Sequence, residues 1–77
     1  MVNILFFAGV KESTGVERLE IEYVNQTIAD LKTYLQDRYP TLSLDGVMVA
    51  INEEFAFDED VISDHDTVAF IPPVSGG

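Results

Sequence analysis

The segment from Val2 to Gly9, which reads Val-Asn-Ile-Leu-Phe-Phe-Ala-Gly, is almost continuously apolar and ends at a turn-forming residue. Such a run is typical of a strand that is covered on both faces, and it predicts a central first strand. Residues 18–23 alternate charged and apolar side chains, which predicts a second strand with one solvated face. The polar connection from Lys11 to Gly15 reads as a loop or short helical turn. Because this connection is short, we expect the two strands to pair antiparallel.

A single helix is predicted in the middle of the chain. Thr27 precedes it, and Asp30 follows three residues later, so that a hydroxyl oxygen and a carboxylate can satisfy the first free backbone amides. Apolar residues recur on one face of this helix: Ile28, Leu31 and Leu35. The helix should end near Arg38, because Pro40 cannot extend it. One face of the helix is therefore expected to pack on the sheet.

Two further strands are predicted after the helix. Residues 47–51 are apolar and follow the turn signal Asp45-Gly46, and residues 67–71 form a second compact run. The pair Pro72-Pro73 stops this last strand, because proline cannot donate to a sheet ladder. The predicted order is β-β-α-β-β. It defines an α+β domain with one helix on one face of the sheet.

Charge and size narrow the class of function. The 77 residues contain 14 Asp and Glu but only 4 Lys and Arg, which gives a net charge of −10. Such a field repels phosphate backbones and anionic lipids, so we expect neither nucleic acid nor membrane as a partner. It favours a basic protein surface instead. A chain this short forms one domain and seldom encloses a deep cleft, which favours a carrier or binding module.

Side chains suited to catalysis or metal binding are scarce. The sequence has no cysteine, which excludes disulfides, thiolate metal sites and a cysteine nucleophile. His65 has no suitably spaced catalytic partner. The acidic run from Asp58 to Asp60 lacks the glycine and the final glutamate of a calcium loop. We therefore predict no metal and no bound cofactor. No segment resembles a secretory signal, which predicts a cytoplasmic location.

The last four residues, Val74-Ser75-Gly76-Gly77, are a predicted tail that can extend about 13 Å beyond the stiff proline pair. Glycine lets another protein's backbone approach closely, and the only functional group at the tip is the carboxylate of Gly77. That carboxylate needs activation with ATP, as an acyl phosphate or acyl adenylate, before it can be attacked. The activated carbonyl then accepts an amine, giving a conjugate, or sulfide, giving a thiocarboxylate. The tail leaves both products open, and a frayed chain end is the third interpretation.

Three segments carry a resemblance to a known family: Ile4-Leu5-Phe6-Phe7-Ala8-Gly9, Ala50-Ile51-Asn52 and, above all, Asp66-Thr67-Val68-Ala69-Phe70-Ile71-Pro72-Pro73-Val74-Ser75-Gly76-Gly77. Over essentially its whole length the chain resembles the small, sulfur-carrying subunit of molybdopterin synthase, a member of the ubiquitin-like β-grasp group. The resemblance implies a β-grasp domain over residues 1–73, with a mixed sheet of four to five strands and one main helix, and a flexible tail over residues 74–77. His65 departs from the family, in which this turn usually contains glycine, and histidine adopts positive φ less readily.

The resemblance also implies a function. An E1-like activating enzyme adenylates Gly77, beside Gly76, with ATP, and a sulfur donor converts the adenylate to a thiocarboxylate. The tail then enters the large subunit of molybdopterin synthase, where its sulfur passes to cyclic pyranopterin monophosphate to form the molybdopterin dithiolene. The chain is thus expected to act as a sulfur donor in a hetero-oligomer, with the catalytic side chains on the large subunit.

The predicted contact residues lie on one side of the sheet and along the exit of the last strand. Strand parity places Phe6 and Phe70 on one face, and Phe7 and Ile71 on the other. If the first pair covers the helix, the second pair joins Phe55 in an apolar patch. The family match aligns Phe7, Phe55 and Ile71 with positions that contact the large subunit. The other predicted partner contacts are Lys11, at the rim, and Pro72, Pro73, Val74 and Ser75.

Three alternatives remain at this point. A sulfur carrier for thiazole synthesis shares the fold, the tail and the activation step, although its tail usually lacks the run Phe70-Ile71-Pro72-Pro73. A ubiquitin-like modifier would instead join Gly77 to lysines of target proteins. An inert interaction module would carry a frayed tail without chemistry.

Overall fold

The computed structural model describes residues 1–23 and 25–73. In chain order the elements are β1 Val2–Phe6, α1 Ala8–Thr14, β2 Arg18–Ile21, α2 Ile28–Arg38, β3 Met48–Ile51, β4 Glu54–Ala56 and β5 Thr67–Ile71. The five strands form one sheet in the order β2-β1-β5-β3-β4. Strand β1 pairs antiparallel with β2 and parallel with β5, while β3 pairs antiparallel with β5 and β4. The sheet is therefore mixed, and β5 lies at its centre.

Helix α2 covers one face of the sheet, and its ends follow the predicted signals. The Thr27 hydroxyl accepts a hydrogen bond from the Asp30 backbone N–H at 3.2 Å, and the Asp30 carboxylate accepts one from the Thr27 N–H at 3.2 Å. This capping box satisfies two free amides of the first turn. The sheet-facing residues of the helix are buried: Ile28, Leu31 and Leu35. A mixed five-stranded sheet with one main helix on one face confirms the predicted β-grasp fold.

The predicted element order is wrong at two places. Residues 8–14 form α1, a seven-residue helix that begins at Ala8, where the first strand was expected to continue. Of the loop or short helical turn predicted from Lys11 to Gly15, the helical alternative is confirmed up to Thr14, and Gly15 caps the helix. Burial of Val10 and Thr14 stabilises this helix, which is too short to be stable without tertiary contacts. The second error is β4, a three-residue strand too short to show alternation in the sequence.

The first strand lies between two neighbours, as predicted, but only one of its faces is buried. Val2, Ile4 and Phe6 are buried against α2, whereas Asn3 and Leu5 are partly exposed. The expectation of cover on both faces is therefore wrong, because α2 lies on one side only. His65 adopts φ 69°, the left-handed conformation for which glycine is better suited. Neither helix in the described ranges is long and apolar enough to cross a membrane.

Candidate functional site on the open face of the sheet

The side of the sheet opposite α2 displays apolar side chains to solvent. Phe6 and Phe70 point towards α2, are 1% and 0% exposed, and have ring centroids 5.9 Å apart. Phe7 and Phe55 lie on the opposite side and are 46% and 66% exposed. Sheet register places further apolar residues on that side. We call this surface the open face: Leu5, Phe7, Ala50, Phe55, Ala69 and Ile71.

A hollow occupies the middle of the open face, and two alanines form its floor. Ala69 pairs with Leu5 on β1 and with Ala50 on β3, and Ala50 pairs in turn with Phe55 on β4. One row across four strands thus reads large, small, small, large. Neighbouring strands lie about 4.8 Å apart, so the backbones of the outer two strands are about 14 Å from each other. The resulting central hollow measures about 570 Å³.

A second hollow lies where the last strand leaves the sheet. It measures about 390 Å³ and is lined by Phe7, Ala8, Ile71, Pro72 and Pro73. Phe7 and Ile71 line both this tail-base hollow and the central hollow. The two cavities are therefore parts of one apolar surface that leads from the sheet to the start of the tail.

The structure brings together five of the residues predicted as partner contacts. Phe7, Phe55 and Ile71 line the open face, and Pro72 and Pro73 continue it. This placement agrees with the parity argument, while the role of these residues as partner contacts stays a prediction. The predictions for Val74, Ser75, Gly76 and Gly77, including the flexible tail, lie outside the described residues.

Charged residues border the open face at two ends. On the β2 side, Lys11 Nζ lies 3.8 Å from Glu17 Oε2, and both side chains are exposed. Glu17 lines a shallow hollow with Leu5 and Phe7, which puts Lys11 near the predicted rim. At the opposite end, Glu53 lines the central hollow itself. An apolar centre with charged borders is the usual anatomy of a protein interface.

The end of the hollow that contains Glu53 is a tight turn between β3 and β4. Both loop residues have positive φ, 51° at Asn52 and 71° at Glu53. The Asn52 side chain anchors the turn: its Nδ2 donates to Asp66 Oδ1 at 2.9 Å, and its Oδ1 accepts from the Thr67 N–H at 3.0 Å. The turn is therefore tied to the start of β5, which fixes the backbone from which the Glu53 side chain extends.

The clearest pKa changes occur away from the open face. A hydrogen bond from the N-terminal ammonium group holds the pKa of Asp64 below its usual value. Burial, with a smaller contribution from the charge of Asp30, raises the pKa of Tyr23.

Across residues 1–23 and 25–73, no cluster of three or more His, Cys, Asp or Glu side chains could hold a metal ion. The open face is suited to binding another protein, since apolar contact area is what it offers.

Sequence reasoning missed two features of this site. The alanine floor depends on the register between β3 and β5, which no local pattern reveals. The second is the contact between Gly46 and Pro73. Gly46 has φ 72°, and a Cβ atom at this position would lie 3.5 Å from Cγ of the Pro73 ring. The turn signal at Asp45-Gly46 was visible, but its contact with the proline pair was not.

Fold and surface together define the class of protein: a small ubiquitin-like β-grasp domain with an apolar open face beside its last strand. The model of the ThiS family matches residues 4–77. The molybdopterin synthase sulfur carrier subunit of Mycobacterium tuberculosis is 40% identical over 80 residues, covering 99% of this chain and 96% of that protein. The chain belongs to the ThiS family, together with such sulfur carrier subunits, which confirms the resemblance seen in the sequence.

Two solved structures share the fold along almost the whole chain. SAMP1 from Haloferax volcanii, a small archaeal modifier protein, has a TM-score of 0.79 and 26% identity, covering 99% of this chain and 98% of that one. The complex of subunits 1 and 2 of the molybdopterin-converting factor from Helicobacter pylori matches with a TM-score of 0.74 and 26% identity, covering 99% and 97%. The second structure shows a protein of this fold bound to a second subunit.

Proposed function

We propose that this chain is the sulfur carrier subunit of a molybdopterin synthase. The observation that carries the proposal is the end-to-end similarity to the Mycobacterium tuberculosis carrier subunit at 40% identity. The family match extends through Gly77, the residue whose carboxylate would carry the sulfur. The same relative favours molybdopterin over thiazole as the product.

The chemistry begins at the carboxylate of Gly77. An E1-like enzyme transfers AMP from ATP to this carboxylate, releasing pyrophosphate and forming an acyl adenylate. Sulfide supplied by a sulfur donor then adds to the carbonyl carbon and AMP leaves, which gives a thiocarboxylate. Glycine leaves the carbonyl carbon unhindered. The chain itself binds no cofactor in this cycle, and ATP is consumed by the activating enzyme.

The open face supports the second half of the cycle, delivery to a large subunit. Phe7, Phe55 and Ile71 supply an exposed apolar surface, and Pro72 and Pro73 carry the chain from that surface into the tail. In the Helicobacter pylori structure a protein of this fold is bound to subunit 2. In the proposed complex the large subunit covers the open face, takes the tail into its active site and provides the catalytic side chains. Because activation consumes ATP, we place this cycle in the cytoplasm.

The proposal is tested by reconstitution. The chain is incubated with the activating enzyme, ATP and a sulfur donor, and intact-mass spectrometry is expected to show one oxygen replaced by sulfur at Gly77. Added large subunit and cyclic pyranopterin monophosphate should then return the chain to its original mass and produce molybdopterin. A chain that lacks Gly77 should fold normally and remain inactive. Full activity of that truncated chain, or of a chain amidated at Gly77, would refute the proposal.

The likeness to SAMP1 favours a second candidate function, that of a protein modifier. In this role the activated Gly77 carbonyl would be attacked by a lysine amine of a target protein, forming an isopeptide bond. Pull-down under denaturing conditions separates the two functions, because covalent lysine adducts survive denaturation. Adducts without thiocarboxylate would favour the modifier, whereas free thiocarboxylate without adducts would favour the carrier.

A further inference from the structure

The proposed function assigns the open face to the large subunit but does not say what occupies its central hollow. Its floor consists of the methyl groups of Ala50 and Ala69, which are directly paired, and Leu5 and Phe55 stand on either side. The hollow of about 570 Å³ between them has room for one large side chain above the alanines, of which Ala50 is 6% exposed and Ala69 is the more accessible. The hollow is open above the sheet, so a small molecule would stay largely in water, whereas pocket ligands are typically about 70–90% buried. A side chain carried on a second protein surface brings its own cover.

The charge at the end of the hollow points to the chemistry beside that side chain. Glu53 lines the hollow, and no salt bridge within the described ranges uses it. The chain as a whole carries a net charge of −10, with 14 acidic and 4 basic residues. A partner surface that approaches this end must bring a cationic group if the carboxylate is not to be buried unpaired.

The backbone at Glu53 supports a role outside folding. Asn52 and Glu53 form a two-residue hairpin loop in which both residues have positive φ, and such loops strongly prefer Asn-Gly. Glycine at position 53 would adopt φ 71° without the steric cost that glutamate incurs. Residues held in costly conformations concentrate at binding sites, where the side chain they carry has a use.

We propose that the hollow over Ala50 and Ala69 receives one large apolar side chain of the large subunit, and that Glu53 pairs with a cationic side chain next to it. The inference rests on the proposed function, since the large subunit is the partner. It makes Ala50, Ala69 and Glu53 specificity-determining residues: the alanines exclude partners that lack the projecting side chain, and Glu53 excludes partners with an acidic border. Phe7 and Ile71 then form the apolar surroundings of this contact.

Binding to the purified large subunit, measured by titration calorimetry, tests the inference. Ala69→Leu fills the hollow from the solvent side, away from α2, and is expected to weaken binding at least about tenfold without loss of folding. Glu53→Gly and Glu53→Gln are each expected to weaken binding about three- to tenfold at low salt, with less difference from the unaltered chain at high salt. Glu53→Gly should also melt at the same or a higher temperature, because it removes the conformational cost.

Two matched variants serve as controls. Ala29→Leu adds the same side chain at an exposed position of α2, on the other side of the molecule. Glu54→Gln removes the same charge one residue further on, where the paired partner Ile51 faces the helix side of the sheet. Both controls should bind like the unaltered chain. Unchanged affinity of Ala69→Leu and of both Glu53 variants would overturn the inference while leaving the proposed function intact. Failure of the unaltered chain to bind the large subunit would overturn the proposed function itself.

Discussion

The same substitution should have different main effects at two adjacent phenylalanines: Phe6→Ala should mainly reduce stability, and Phe7→Ala should mainly reduce binding to the large subunit. Phe6 is 1% exposed and stacks on Phe70 in the core, whereas Phe7 is 46% exposed on the open face. Truncation of a buried phenylalanine costs about 3–5 kcal/mol, through lost burial and the cavity left behind. Phe7 has about half of its surface to lose, so Phe7→Ala should cost about 1 kcal/mol of stability. The free energy of unfolding of a 77-residue domain is about 4–12 kcal/mol, so Phe6→Ala removes a large part of it.

Urea unfolding measures both changes. With an m value of about 1 kcal/mol per molar urea for a chain of this size, Phe6→Ala should lower the midpoint by about 3 M or more, and Phe7→Ala by about 1 M. Binding to the large subunit should show the reverse order, because Phe7→Ala removes an exposed aromatic anchor and should weaken the complex by more than about 1 kcal/mol. If Phe6→Ala does not fold, Phe6→Leu, which keeps most of the buried surface, replaces it in the stability measurement. Equal loss of stability at the two positions would refute the assignment of the two faces. Unchanged binding by Phe7→Ala would refute the role of Phe7 as a contact with the large subunit.

Three further substitutions test the fold itself. Thr27→Ala removes the hydroxyl that accepts from the Asp30 N–H and should cost about 1 kcal/mol in urea unfolding, whereas Thr27→Ser should retain most of the stability. Leu35→Ala, at a fully buried position of α2, should cost about 2–5 kcal/mol by the same measurement, and a loss below 1 kcal/mol would mean that α2 does not seal the core. Asp64→Asn should lower stability at neutral pH but not at pH values below the pKa of the Asp64 carboxyl. The hydrogen bond from the Met1 ammonium group lowers this pKa in the folded state. The stabilisation is therefore present above the unfolded-state pKa and is lost as the pH falls through the folded-state pKa. A carboxyl titration by NMR that gives Asp64 an ordinary pKa would contradict this ion pair.

Local signals in the sequence predicted the elements whose ends are chemically marked. Helix α2 begins after the capping residue Thr27 and ends at Arg38, before Pro40, and strand β5 stops at Ile71 before the proline pair. The antiparallel pairing of β1 with β2 also followed, because the connection between them is short. Strand parity was enough to separate Phe6 from Phe7, since alternation along a strand needs no knowledge of its neighbours. Which of the two faces α2 covers was settled only by the structure, in which Phe6 is buried and Phe7 is exposed.

What could not be predicted depends on contacts distant in sequence. Helix α1 contains Gly9 and Ser13, which are poor helix formers, and it is held by burial of Val10 rather than by propensity. Strand β4 gains its conformation from pairing with β3. The alanine floor arises because Ala50 and Ala69, which are separated by two loops and a strand, meet in register. These features are set by tertiary structure, and they include the part of the surface on which partner selection is proposed to depend.

The central place of β5 has a consequence for how the molecule is made. This strand joins β1 to β3, so neither half of the sheet is complete without it, and its pairing partner Asn3 lies at the other end of the chain from Thr67. A ribosome releases the amino-terminal strands first, yet they have no stable arrangement until Ile71 has been synthesised. Chains that end before β5 are therefore expected to remain unfolded. The complete sheet can therefore form only after the chain has been synthesised up to Ile71, the last residue before the proline pair.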